Sequence, residues 1–162
     1  MNIFVIDKDP VKAAQQLCNA HVVKMIVESA QLLSSHDRLH GIEEKRYKLC
    51  YQHHPCRKCL ENIHNYIWLC HHLNALLDEY TFRYNKLHKV REMFNRCWKS
   101  YLEMTYDTNL LSFPKCMIKE LKVGTDNIDD VVNAYQNYYR FKKNILKRFY
   151  YKNREIPKWL EQ

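Results

Sequence analysis

His21, Lys24, Glu28 and Gln31 follow one another at spacings of three, four and three, so on a helix all four side chains point the same way. An imidazole, an ammonium and a carboxylate on one stripe can do acid–base or amine chemistry. The carboxylate stabilises positive charge or takes a proton, and an amine that has lost its proton attacks an electrophilic carbon. That chemistry needs a cleft. On an open surface the same stripe is only the polar side of an amphipathic helix. The catalytic candidates are therefore Glu28, Lys24 and His21.

Two further groupings carry ligand-type residues. Cys50, His53, Cys56 and Cys59 lie within ten residues, at separations used by structural zinc sites. Against zinc, helix-borne cysteines are usually small buried hydrophobes; no metal or cofactor is expected. Pro55-Cys56 followed by Cys59 also matches half of a zinc-deaminase signature, but no His-x-Glu supplies the other half. Glu79 and Arg83 stand one turn apart on a helical pattern. A salt bridge explains that spacing, and a phosphate contact is its rival.

These side chains have to be positioned by helices. Two glycines and four prolines in 162 residues leave little turn chemistry for a many-stranded fold. Asp9-Pro10 reads as a capped start of a helix running to about residue 35, with a break near Asn19. Residues 41–56 read as a polar connector. A long helix follows from Arg57 to about Asn85, then one from Lys89 to Met104, a loop over 105–126, and a last helix from Ile128 to about Tyr151, before Pro157 opens a tail. The expectation is an all-α, compact single-domain bundle of about four main helices over 1–162, in which the apolar run 2–6 can add a short N-terminal strand.

Charge points to the partner. The net charge is +8, and from Tyr135 to Gln162 eight basic residues stand against two acids, so +6 of it lies from residue 135 onward, within the basic, aromatic segment 128–162. Lysine and arginine neutralise phosphates without reading sequence, and interleaved aromatics can stack on unpaired bases. Candidate nucleic-acid contacts are Arg140, Lys142, Lys143, Lys147 and Arg148, with Gln31, His54 and Arg83 nearer the first helices. Tyr135, Tyr138 or Tyr139, Ile145 and Phe149 also fit a core-facing stripe, so many of these aromatics are packing residues. DNA is the expected partner. No stretch approaches a membrane span and no signal-peptide pattern opens the chain; seven scattered cysteines suit reduced thiols in cytoplasm.

The opening Asn2-Ile3-Phe4-Val5, the Asp9-Pro10 start, the stretch His21 to Glu28, His54-Pro55-Cys56, Asn65-Tyr66-x-Trp68-Leu69 and Glu79-Tyr80-x2-Arg83-Tyr84 together resemble a small protein common in phage genomes. More distantly, over about residues 1–90, the order of elements resembles the pyrimidine-dimer DNA glycosylases of the endonuclease V type. That resemblance implies a compact helical fold, a flipped nucleotide, and attack on the sugar C1′ by an amine to give a Schiff base. A carboxylate on the first long helix would stabilise the developing charge. In the family the amine is the chain's own N-terminus. Here Asn2 follows Met1, a large side chain for methionine removal, and the family's arginine–glutamate pair has no counterpart at Val22 to Lys24. Glu28 is the nearest carboxylate, and Lys24 can stand in as the amine, with His21 contacting a phosphate or base. The rival classes are a non-enzymatic nucleic-acid- or protein-binding module, such as a counter-defence protein, and a nucleotide-level enzyme using the same stripe.

Overall fold

The computed structural model describes residues 1–42 and 46–161. Six α-helices order them: α1 (Pro10–Gln15), α2 (Asn19–Leu39), α3 (Pro55–Lys58), α4 (Ile63–Tyr84), α5 (Val90–Cys97) and α6 (Ile128–Ile145), joined by short 3₁₀ turns. The fold is all-α. Four of the six, α2, α4, α5 and α6, are the main helices. No strand occurs among the described residues, which corrects the expected N-terminal strand. Ile3, Phe4, Val5 and Ile6 are instead buried as a folded-back segment. The Asn2 side-chain oxygen accepts from the Ile3 and Phe4 amides, the Ile6 amide donates to the Phe4 carbonyl, and Phe4 has φ 56°. A left-handed residue ends any strand, and for an aromatic it costs on the order of 1 kcal/mol.

The first expected helix is two. Asp9 accepts from the Val11 and Lys12 amides at 2.8 and 3.2 Å, and Pro10 opens α1 as its spacing predicts. The chain breaks after Gln15 because tertiary partners capture the backbone there. The Cys18 amide donates to the Tyr139 hydroxyl at 2.7 Å, and Arg83 donates to the carbonyls of Gln15 and Leu17 at 2.9 and 2.7 Å. A buried guanidinium thus takes the carbonyls that end α1. Its Nε also donates to Glu79 at 2.9 Å, and Arg154 reaches the same carboxylate from the C-terminal tail.

The second expected helix also divides. A 3₁₀ turn at Cys59–Glu61 separates α3 from α4, and Asn62 restarts the helix by accepting from the His64 amide at 2.9 Å. The α4 helix is the centre of the core, with Trp68, Leu69, Leu73, Leu76 and Leu77 fully buried. Its polar side chains fasten the neighbours: the Trp68 indole donates to the Lys8 carbonyl at 2.7 Å, and His72 Nδ1 to that of Pro10 at 2.9 Å. Asp37, on α2, takes Tyr66, Trp98 and Arg46 at 2.7, 2.9 and 2.7 Å. Burial works to raise this carboxyl, yet the hydrogen bonds from His36, Tyr66, Trp98 and Arg46 hold it below its usual range.

The α6 helix ends at Ile145 rather than near Tyr151. Beyond it the chain crosses the start of α2, where the Tyr150 carbonyl accepts from the Asn19 amide at 3.0 Å and the Tyr151 hydroxyl donates to Gln16 at 2.9 Å. Likewise α5 stops at Cys97 and passes into a 3₁₀ turn over Lys99–Glu103. Among the described residues, no helix is long and apolar enough to cross a membrane.

Candidate active site

The α2 helix turns His21, Lys24 and Glu28 into a cavity of about 220 Å³ that is closed on other sides by the chain start and by Tyr138 and Lys142 of α6. Glu28 is its centre. Its Oε2 accepts from the Asn2 backbone nitrogen at 3.0 Å, and its Oε1 lies 3.4 Å from Lys24 Nζ. The carboxylate is mostly enclosed, with 14 % of its side chain exposed against 63 % for Lys24. A wider cleft of about 570 Å³ beside Gln16, Arg154 and Trp159 does not include Glu28, and chemistry rather than volume selects the smaller cavity.

The chain start is built in. Asn2 Nδ2 donates to the Cys116 carbonyl at 2.6 Å while its Oδ1 takes the next two amides. Phe4 stacks on the His21 ring at 4.6 Å and on Tyr138 at 5.9 Å, contacts that offset its backbone strain. Loop residue Cys116 is fixed in turn by the Tyr135 hydroxyl, which accepts its amide at 3.2 Å and donates to the Pro114 carbonyl at 2.7 Å.

His21 is buried, with Nδ1 at 2.9 Å from the Tyr139 hydroxyl. Burial first, then Lys24 and Lys142, pull its pKa down to about 4, so the ring is neutral at pH 7 and cannot serve there as a cationic phosphate contact. That the two lysines act on it shows the cavity's positive field. His54 caps α3 through Nδ1, which accepts from the Cys56 amide at 3.1 Å. Its pKa is lowered by burial and by the chain's amino terminus, with Glu28 opposing, which places it within electrostatic reach of the cavity. It does not line it.

The other sequence candidates divide. Lys142 lines the cavity, its Nζ 5.1 Å from the Tyr138 ring centre. Lys147 and Arg148 are exposed beyond the end of α6. Arg140 binds the Trp159 carbonyl through Nε and Nη2 and Asn137 through Nη1, which ties down the C-terminal tail. Lys143 is exposed and reaches the Leu160 carbonyl at 3.2 Å. Gln31 is half-buried one turn beyond Glu28, outside the cavity lining. Arg83 is a correction: it is 1 % exposed, its donors bind Glu79, Leu17, Asn19 and Gln15, and no phosphate can reach it.

Among the described residues Cys50, His53, Cys56 and Cys59 do not converge on one point. Cys50 pairs with Ser35 at 3.5 Å, and Cys59 donates to the Cys56 carbonyl at 3.3 Å. Cys56 instead meets Cys116 from a distant loop, the sulfurs 3.4 Å apart. Sharing one proton, the pair splits: the hydrogen bond from Cys56 draws Cys116 down to about 7, and Cys56 moves up. Sequence reasoning missed Cys116, Tyr138 and Tyr139 as site residues, because only tertiary folding brings residues 116–142 onto α2.

The all-α fold thus encloses a carboxylate between the chain start and a lysine, with Tyr138 and Lys142 of the basic helix α6 on the opposite wall. The family model described as pyrimidine dimer DNA glycosylase matches residues 1–96, more than half of the chain, and the chain belongs to that family. No curated protein and no solved structure matches it. The match contains Glu28, Lys24 and His21, whereas Tyr138 and Lys142 are contributed from outside it.

Proposed function

We propose that the protein is a base-excising DNA glycosylase acting on pyrimidine dimers, with the chain-start amine as nucleophile and Glu28 as the charge-stabilising carboxylate. The observation that carries the proposal is the contact between the Asn2 nitrogen and Glu28 Oε2 at 3.0 Å, in a cavity that also holds Met1. The Asn2 nitrogen is a peptide amide while Met1 is present and an α-amine once Met1 is removed, and Met1 itself lines the same cavity.

The step follows from those positions. The unprotonated amine attacks C1′, forming an N–C1′ bond as the bond from C1′ to the base breaks, and the pyrimidine, still joined to its dimer partner through the cyclobutane ring, takes the bonding pair and a proton from water. Glu28 offsets the positive charge that builds on the sugar and accepts the proton lost by the amine. Opening of the sugar ring then gives a Schiff base, from which strand cleavage by elimination or hydrolysis can follow. Lys24 and Lys142 supply cations at the rim for the flanking phosphates, and exposed Lys147 and Arg148 extend that surface. The small cavity excludes a duplex, which fits chemistry on a flipped base. Lys24 is the second candidate amine, on its 3.4 Å approach to Glu28.

The test is release of a base from its sugar, read as an alkali-labile abasic site, in a duplex carrying one cyclobutane pyrimidine dimer, where the cleaved pyrimidine stays joined to its neighbour through the cyclobutane ring. Wild type releases the base from its sugar and Glu28→Gln does not, although both bind the duplex. Equal release by the two proteins overturns the role of Glu28, and no release by wild type overturns the activity.

A further inference from the structure

We propose that His36, His40 and Glu61 form a binding site for a divalent transition-metal ion of the zinc type, clipping the end of α2 to the turn that precedes α4. The site is separate from the cavity at Glu28 and independent of the glycosylase reading. His36 and His40 stand one turn apart, so their rings share a face, stacked at 4.3 Å and 26°. The nitrogens of both rings and a carboxylate oxygen of Glu61 come within 4.8 Å of one another.

The proton positions single this cluster out. His40 Nδ1 lies 2.9 Å from the His36 carbonyl oxygen. A carbonyl only accepts, so Nδ1 carries the proton and Nε2 keeps a lone pair. That lone pair faces Glu61 Oε2, another acceptor, at 3.2 Å. Two acceptors at such a distance require a proton or a metal ion between them. His36 turns its Nε2 toward the same Glu61 oxygen at 4.0 Å, with its Nδ1 at 3.5 Å from Asp37 Oδ1. Metal-bound histidines characteristically give the distal N–H to a carbonyl or carboxylate, and His40 has that partner in the His36 carbonyl.

Glu61 is steadied by Arg57, which bonds its other oxygen. Ligand atoms around one zinc sit about 3.3 Å apart for bonds near 2.0–2.1 Å, so a small rotation of His36 closes the set. Side-chain exposures of 48 % for His40 and 51 % for Glu61 leave an entry path and a position for water. Two imidazoles and one carboxylate favour zinc, nickel or cobalt over magnesium or calcium.

The other convergence of ligand-type residues, His54 with Cys56 and Cys116, is differently made. There His54 Nδ1 accepts the Cys56 amide, so the proton sits on Nε2 and the neutral ring has no lone pair to spare.

Zinc titration of the full chain against a chromophoric chelator, for wild type, His40→Gln, Glu61→Gln and Cys116→Ser, tests the proposal. Wild type and Cys116→Ser bind one equivalent with a matching rise in melting temperature. His40→Gln weakens that equivalent by at least about 10-fold and Glu61→Gln weakens it too, while all four melt normally with zinc chelated. Unchanged zinc affinity in His40→Gln, or loss of the equivalent in Cys116→Ser alone, overturns it.

Discussion

Asn2 and Glu28, twenty-six positions apart in the chain, meet at 3.0 Å between backbone nitrogen and carboxylate oxygen. Chain starts ordinarily fray in solvent. This one is held by the Asn2 side chain, by the Cys116 carbonyl and by Phe4 packed on His21, so the fold spends backbone strain to bring its first residues to a carboxylate that lines the cavity.

Replacing Glu28 by Gln keeps the size and the hydrogen-bond acceptor but removes the charge. Base release should fall by at least about 100-fold, with duplex affinity within a few-fold of wild type. Single-turnover excision and a binding titration on the same duplex measure the two separately.

Lys142→Ala should weaken binding to dimer-containing and undamaged DNA alike, and should reduce the slope of log affinity against log salt by about 1. Arg140→Ala should leave that slope unchanged, since its donors are spent on Trp159 and Asn137. Fluorescence anisotropy across a salt series separates the two.

Arg83→Met should cost roughly 3–5 kcal/mol, because it strips a buried carboxylate of one partner and leaves the carbonyls ending α1 unpaired. Urea melts read the loss. The folded fraction of the variant should bind DNA as wild type does.

Two buried histidines set an acid limit. His21, through burial and then Lys24 and Lys142, and His72, through burial against the opposing Pro10 carbonyl, both sit at about 4 when folded, against 6.5 when exposed. The folded values are lower, so between those limits the unfolded chain binds more protons. Stability from this source is complete above pH 6.5 and is lost as pH falls toward 4, by roughly 2–3 kcal/mol per histidine. Urea melts at about pH 7 and about pH 5 should show the drop, and His72→Gln should show less of it.

Cys116, drawn down to about 7 by its hydrogen bond to Cys56, should be alkylated by iodoacetamide near neutral pH ahead of Cys56, Cys59 and Cys70, whose thiols are raised. Because Cys116 lines the cavity, the modified protein should lose base release. Peptide mapping after brief labelling identifies the order.

The helices were legible in the sequence where local chemistry decides them. Asp9-Pro10 caps as its residue types predict, and the stripe of His21, Lys24 and Glu28 follows from spacing alone. The breaks at residues 16–18 and 59–62 were partly hidden, since the first depends on Arg83 and Tyr139 arriving from far along the chain. The same cause hid half of the cavity. No periodicity shows that Lys142 and Tyr138 cover α2, or that Phe4 leaves the extended region. The Glu79–Arg83 spacing gave the ion pair but not its burial, which is what removes Arg83 from any surface role.

Borohydride reduction during reaction with dimer-containing duplex, followed by peptide mapping of the adduct, tests the central claim most directly. The account predicts a covalent protein–DNA adduct on the N-terminal peptide, formed by wild type and by Lys24→Ala and lost in Glu28→Gln. An adduct mapped to Lys24, or base release with no trapped adduct at all, would contradict it.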